Sequence, residues 1–232
     1  MNKKDKYGET PLLLAAHYDY PDIVDVLIEN GADVNTKDGL GTTLLMYAAW
    51  GGNIDIVRLF LDKGLDINAK DEFGATLLMF AALGGNIDIV RLFLDMGLDV
   101  NAKSNNGKTP LMYAAWGGNI NIVRLFLDMG LDVNAKSEGR TTPLMYAARG
   151  GNIDIVRLLV ENGADVNAKA DNGKTPLIYA IDYGWNKKDL SGMIKLLIKK
   201  GADVHAKDNK GKTAADSARE YKKTKTLKIL GG

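Results

Sequence analysis

Two histidines, His17 and His205, and no cysteine among 232 residues leave little from which to build a nucleophile or a metal centre. Without a thiol there is no disulfide, Fe–S cluster, zinc finger or cysteine nucleophile. Two histidines are too few for a histidine cage, and a histidine-based triad is equally disfavoured. Gly-Lys-Thr at 107–109, 173–175 and 211–213 is the tail of a phosphate-binding loop, but the glycine such a loop needs upstream is replaced by Ala102, Ala168 and Ala206. Carboxylates are plentiful and regular: Asp33, Asp66, Asp99, Asp132, Asp165 and Asp203 recur at one repeated position. A catalytic pocket needs one special place rather than six equivalent ones, so these aspartates read as structural. His17 beside Tyr18 reads as a surface contact rather than a general base. The sequence therefore predicts no enzyme, no catalytic residue, no cofactor and no metal.

Charge says little more. Thirty basic residues against twenty-nine acidic ones give +1, which disfavours nucleic acid as a partner. Lys37, Lys70, Lys103, Lys136, Lys169 and Lys207 form a regular row that an acidic ligand could use. Asp38, Asp71 and Asp208 follow three of them directly and offset that charge.

The elements that must position these residues are set by internal repetition. Asn53–Asp62 reads NIDIVRLFLD and is repeated verbatim at Asn86–Asp95; Asn119–Asp128 differs only at Asn121. Thr10, Thr43, Thr76, Thr109, Thr142 and Thr175 are each 33 apart, and Thr213 follows by 38, which places an insertion within 183–193. Within a unit, Thr109-Pro110-Leu111 supplies a capping hydroxyl and a proline at the first helical position. Gly117-Gly118 ends that helix, Ile120–Leu127 forms a second one, and Gly130 closes it in a left-handed cap. A short extended segment and a turn at Asn106-Gly107 or Asn172-Gly173 then predict a hairpin. The second helix is apolar almost all round, so it needs neighbours on several sides, which stacked units supply. Asp55, Arg58 and Asp62 are its predicted solvent face.

With its 33-residue period and its Gly-x-Thr-Pro-Leu, Ala-Ala, Gly-Asn, Ile-Val and Gly-Ala-Asp-Val-Asn-Ala segments, the chain resembles the ankyrin-repeat family over essentially its whole length. The resemblance implies an all-α repeat solenoid of helix–loop–helix–β-hairpin units whose concave face binds other proteins. The expected organisation is one domain, 1–232, with units at about 5–37, 38–70, 71–103, 104–136, 137–169 and 170–207 and a C-terminal capping unit at 208–232.

Departures from the family pattern sharpen the reading. Leu13, Met46, Met79, Met112, Met145 and Ile178 replace the histidine usual after Thr-Pro-Leu, exchanging a polar network for packing. Arg140 stands where the turn glycine is expected, with Gly139 before it, so that turn is predicted to shift. The first unit has no evident cap: Leu13, Leu14 and Tyr18 are apolar for a terminal repeat, whereas the last unit is lysine-rich and reads as a cap.

The resemblance places the residues after Ala-Ala in the groove: Trp50, Leu83, Trp116 and Arg149. The loop tips add Tyr7, Leu40 and Phe73, with Lys70, Lys103 and Arg149 as rim charges. Gly51, Gly84, Gly117 and Gly150 are expected to leave room for a partner's side chain. An exposed apolar, aromatic stripe marks an interaction site; the competing reading folds Trp50 and Trp116 over helix ends. Tyr47, Phe80, Tyr113, Tyr146 and Tyr179 are expected to pack between repeats, and Asn35, Asn68, Asn101, Asn134 and Asn167 to be structural. Trp185, in the insertion, is either a second contact or a local plug.

The expected function is non-catalytic protein binding by a monomer. Its rivals are a scaffold that docks through the first repeat or the insertion, and a consensus-like array without a natural ligand. Met1-Asn2-Lys3-Lys4 precedes no apolar run, so no signal peptide is expected. No stretch approaches the ~20 apolar residues of a membrane span, which points to the cytoplasm and leaves an exported mature form open.

Overall fold

Helix follows helix throughout the computed structural model, which describes residues 1–183 and 190–231. Among them are fourteen α-helices and no strand. Cα packing divides the chain into two compact units, Met1–Tyr113 and Ala114–Gly232.

The first unit contains α1 (Pro11–His17), α2 (Pro21–Glu29), α3 (Leu44–Gly51), α4 (Ile54–Asp62), α5 (Leu77–Gly84) and α6 (Ile87–Asp95), and α7 (Pro110–Gly117) begins in it. Here α1 packs on α3, α3 on α5 and α4 on α6. The second unit contains α8 (Ile120–Asp128), α9 (Pro143–Gly150), α10 (Ile153–Glu161), α11 (Pro176–Tyr183), α12 (Ser191–Lys199), α13 (Ala214–Glu220) and α14 (Thr224–Ile229). There α9 packs on α11, α11 on α13, α8 on α10, α10 on α12 and α12 on α14.

Each first helix starts at its threonine. The Leu13 N–H donates to Thr10 Oγ1 at 3.3 Å, and Met46 N–H to Thr43 Oγ1 at the same distance. Of the second helices, α4, α6, α8 and α10 start at an asparagine, whereas α2, α12 and α14 start at Tyr20, Leu190 and Lys223; Asn53 Oδ1 accepts from Asp55 and Ile56 N–H at 2.8 and 3.0 Å. The same residue type joins repeats, because Asn86 Nδ2 donates to Gly52 O at 2.8 Å and Asn152 Nδ2 to Gly118 O at 2.9 Å. Asn134 and Asn167 are structural as expected: each donates to the backbone of the next repeat, at Gly163 O and Gly201 O, both at 2.9 Å.

The core is the predicted one. Leu13, Met46, Met79, Met112, Met145 and Ile178 are at most 1% exposed, as are Phe60, Phe93 and Phe126 of the second helices. Burying each such side chain is worth roughly 1.5–3 kcal/mol. Asp55, Arg58 and Asp62 are exposed, as a solvent face should be.

Three expectations are corrected. The extended hairpin segments are turns: Asn35 N–H donates to the Asp33 carboxylate at 2.9 Å, closing an Asx turn where a strand was expected. Pairing shrinks to isolated bridges at Lys37–Thr43 and Lys70–Thr76.

Second, the turn at Arg140 is not shifted. Arg140 takes the glycine position with φ 52°, and its N–H donates to Ser137 O at 2.8 Å, as Gly107 donates to Ser104 O at 2.9 Å.

Third, Gly51 and Gly84, two of the glycines after Ala-Ala, hold no space for a partner. A Cβ on Gly51 would lie 2.5 Å from Ala16 O, and one on Gly84 would lie 2.5 Å from both Ala49 O and Trp50 O. The preceding repeat's helix end already fills that room.

The two chain ends differ in finish. In α2 only Val24 is buried, while Tyr20, Ile23 and Val26 are about half exposed. The last repeat opens on a capping box: Thr213 N–H donates to Asp216 at 2.9 Å, and Asp216 N–H to Thr213 Oγ1 at 3.3 Å. The 183–193 stretch that holds the insertion runs from the end of α11 into the start of α12, where Leu190 and Met193 are buried; Trp185 lies outside the described residues.

Candidate functional site

The loop tips of the first unit are held at fixed spacing by a backbone ladder. Gly39 N–H donates to Tyr7 O at 2.9 Å, Glu72 N–H to Leu40 O at 2.9 Å, and Asn105 N–H to Phe73 O at 2.8 Å. With their backbones tied, Tyr7, Leu40 and Phe73 are left 62%, 48% and 52% exposed. Each loop is braced from inside by an aspartate. Asp38 Oδ1 accepts Leu40 and Thr42 N–H, both at 2.8 Å, and Asp71 Oδ1 accepts Ala75 N–H at 2.7 Å.

Trp50, near the end of α3, is 37% exposed and stacks on His17 with ring centroids 4.2 Å apart. Tyr47 and Phe80 lie 6.3 Å from it on other sides. Trp50 thus lies against His17, the last residue of α1, and remains partly exposed.

Between the tips and Trp50 is a cavity of about 680 Å³. Its walls include Tyr7, Leu40, Tyr47, Trp50 and Phe80, its acids are Glu9, Asp38 and Asp71, and Lys6 also lines it. The Tyr47 hydroxyl lies 2.7 Å from Glu9 Oε1 and 2.9 Å from Asp38 Oδ2. Burial and these two carboxylates push its ionisation far above the ordinary tyrosine range, so it remains a donor. Burial also pushes the Asp71 carboxyl up, against the N–H groups of Ala75 and Phe73, with Asp38 and Glu72 adding to the rise. His17 is pushed down by burial, opposed by Glu9.

Of the predicted contacts in this unit, Tyr7, Leu40 and Trp50 share the cavity. Phe73, Leu83, Lys70 and Lys103 lie outside its lining; Phe73, Lys70 and Lys103 are exposed and Leu83 is half-buried. The pattern missed Glu9, Asp38, Asp71 and the inward role of Tyr47. A usable signal was present: positions 38 and 71 are acidic, whereas Ser104, Ser137 and Ala170 follow at the same repeat position.

In the second unit Trp116 is 42% exposed. Tyr146 lies 6.3 Å from it, and the Arg149 guanidinium sits 5.5 Å over its ring. The same guanidinium is 5.2 Å over Tyr183, which also receives Lys174 Nζ at 5.0 Å. Lys174 pairs with buried Asp182 at 2.7 Å. Arg149 is therefore a stacked cation rather than a free rim charge.

No set of three His, Cys, Asp or Glu side chains among the described residues is arranged to hold a metal, and none of the described helices is long and apolar enough to cross a membrane.

A chain of capped helix pairs, repeated every 33 residues and joined by glycine turns, defines a helical repeat protein. The family profile described as ankyrin repeats (3 copies) matches residues 1–71, 45–137 and 131–208, and the chain belongs to the ankyrin-repeat family. No curated protein matches the chain at a significant level.

Proposed function

We propose that the chain is a non-catalytic protein-interaction module, a monomer that binds one partner protein through the face bearing its loop tips and first-helix ends. The supporting observation is the row of Tyr7, Leu40 and Phe73, large apolar side chains about half exposed on loops whose backbones are already tied. Solvated surfaces rarely concentrate such residues, and preorganised anchors lower the ordering cost of binding. In this reading Trp50 and Leu83 extend the row, Lys70 and Lys103 steer an approaching partner, and Trp116 with Arg149 forms the corresponding patch of the second unit.

A second reading rests on α2, where Tyr20, Ile23 and Val26 are about half exposed and would dock the array into a larger assembly. Capture from native lysate separates the two. Leu40→Asp/Phe73→Asp should lose the partner and Ile23→Asp/Val26→Asp should keep it, with circular dichroism confirming that both fold. The reverse pattern would move the function to α2.

A further inference from the structure

Three apolar surfaces stand open: the exposed side of α2, the Trp116 patch and the cavity of the first unit. Nothing in the structure says what covers α2, and at the Trp116 patch the chain's own Arg149 guanidinium already sits over the ring. The cavity differs because its chemistry selects an occupant.

Its walls are ring faces and edges from Tyr7, Tyr47, Trp50 and Phe80, and it is lined by three carboxylates, Glu9, Asp38 and Asp71, against one ammonium, Lys6. No lysine or arginine among the described residues forms an ion pair with those three acids: the ion pairs present join Lys174–Asp182, Lys200–Glu161, Lys212–Glu220 and Arg219–Asp216. The inward oxygens of Glu9 and Asp38 share the single proton of the Tyr47 hydroxyl, so acceptor capacity is left over. An anion would be repelled, and a neutral apolar group would leave half-buried carboxylates facing it. A cation on an apolar stem satisfies both surfaces, its stem against the rings and its N–H groups on the carboxylates.

The second unit supplies an internal precedent. Arg149 lies over Trp116 and Tyr183, and Lys174 reaches both Tyr183 and Asp182. The equivalent of Arg149 beside Trp50, one period of 33 on, is Leu83. At the cavity itself Lys6 Nζ stands 4.8 Å over the ring of its chain neighbour Tyr7.

We infer that the cavity between the loop tips and Trp50 seats a lysine or arginine side chain of the partner polypeptide. This rests on the interaction-module reading and gives the partner's chemistry: a polypeptide segment that presents a lysine or arginine side chain. A volume of about 680 Å³ holds the cationic side chain with part of its neighbours.

The test uses the intact chain labelled with ¹⁵N, whose three tryptophans give three indole N–H resonances; Trp50→Phe assigns that of Trp50. The probes are blocked Gly-Ala-Arg-Ala-Gly, its lysine analogue and its citrulline analogue, which has nearly the shape of arginine without the charge. The arginine and lysine peptides should move the Trp50 resonance saturably at millimolar concentration and leave Trp116 in place, while the citrulline peptide should not bind. Asp38→Asn/Asp71→Asn keeps the side-chain acceptors that brace the loops and should raise Kd about tenfold. Glu9→Gln, which braces no loop, should raise it less.

Equal binding of the citrulline peptide, movement of Trp116 instead of Trp50, or an unchanged Kd in Asp38→Asn/Asp71→Asn would each overturn the inference. Lysate capture keeps the two claims apart. Partner loss from Leu40→Asp/Phe73→Asp but not from Asp38→Asn/Asp71→Asn would end the cation inference and leave the module reading standing. Retention by both would end the module reading, and with it the partner-bound cation.

Discussion

Trp50 and Trp116 occupy the same place in the repeat, two periods of 33 apart, yet their surroundings carry opposite charge. Around Trp50 the neighbouring aromatics share a cavity with Glu9, Asp38 and Asp71. Trp116, itself 42% exposed, has the Arg149 guanidinium over its ring, and Lys174 pairs with Asp182. The contrast is written into single repeat positions: the position of Glu9 carries Lys108 and Lys174 in later repeats, and that of Arg149 carries Leu83 after Trp50. The repeat places the tryptophan, and the residues that do not repeat decide whether a cation of the chain itself or a cavity lined by carboxylates stands beside it.

The largest expected effect breaks the scaffold rather than the site. In the first unit Gly84 lies against the carbonyls of Ala49 and Trp50, 2.5 Å from where a Cβ would stand; in the second, Gly150 has Trp116 O at 3.3 Å. Gly84→Ala should cost about 3 kcal/mol, because packed backbone must move. Gly150→Ala should be nearly neutral, since a small shift is offset by a gain in helix propensity of up to about 1 kcal/mol. Urea denaturation measures both, and equal losses would mean that the two units tolerate this contact alike.

Leu83→Arg sharpens the comparison directly by giving Trp50 the neighbour that Trp116 already has. The new guanidinium should occupy the ring face from within and weaken the arginine peptide about tenfold, with stability changed by less than about 1 kcal/mol. Titration of the Trp50 indole resonance reads the outcome. Undiminished affinity would show that the cavity does not take its cation at that face.

Arg140 is the one turn residue in the second unit that departs from the glycine pattern while keeping the geometry. Its φ of 52° is the left-handed region, which costs a non-glycine residue roughly 1–2 kcal/mol. Arg140→Gly should therefore raise stability by about 1 kcal/mol, visible as a higher urea midpoint at unchanged slope. Gly107→Arg, at the same position in the first unit, should lower it by a similar amount. No change in either would mean that the surrounding loops absorb the strain.

Much of this was legible beforehand. Period, threonine caps and the methionine core at Met46, Met79, Met112 and Met145 follow from local chemistry repeated often enough to be unambiguous. The turn at Arg140 was misread because a glycine one residue earlier looked like a substitute, whereas the loop's own hydrogen bonds hold the register and impose positive φ on the arginine. The acids of the cavity were legible only as a break in the repeat at positions 38 and 71, since Glu9, Asp38 and Asp71 belong to three successive repeats and each resembles an ordinary turn residue. They meet only because the Tyr7–Gly39 and Leu40–Glu72 backbone bonds bring those loops into line.

The smallest effect is a pH dependence that separates the site from the fold. Asp71 faces Asp38 and Glu72, with Glu9 and Lys6 on the same cavity, and its carboxyl is pushed up from the ordinary aspartate range, chiefly by burial. A raised folded-state value means that the folded chain takes up this proton more readily than the unfolded chain. The group thus favours folding below its unfolded value and loses that contribution as pH rises through the folded one. Cation binding runs the other way, because protonation removes the charge the peptide needs. Affinity for the arginine peptide should begin to fall, by about two- to threefold, at a pH above that at which an ordinary aspartate titrates. Asp71's own contribution to stability should not fall there. Asp71→Asn should start with the lower affinity and lack this early step. An early step that survives in Asp71→Asn would assign the proton to another carboxylate of the cavity, and a parallel loss of secondary structure would assign it to unfolding.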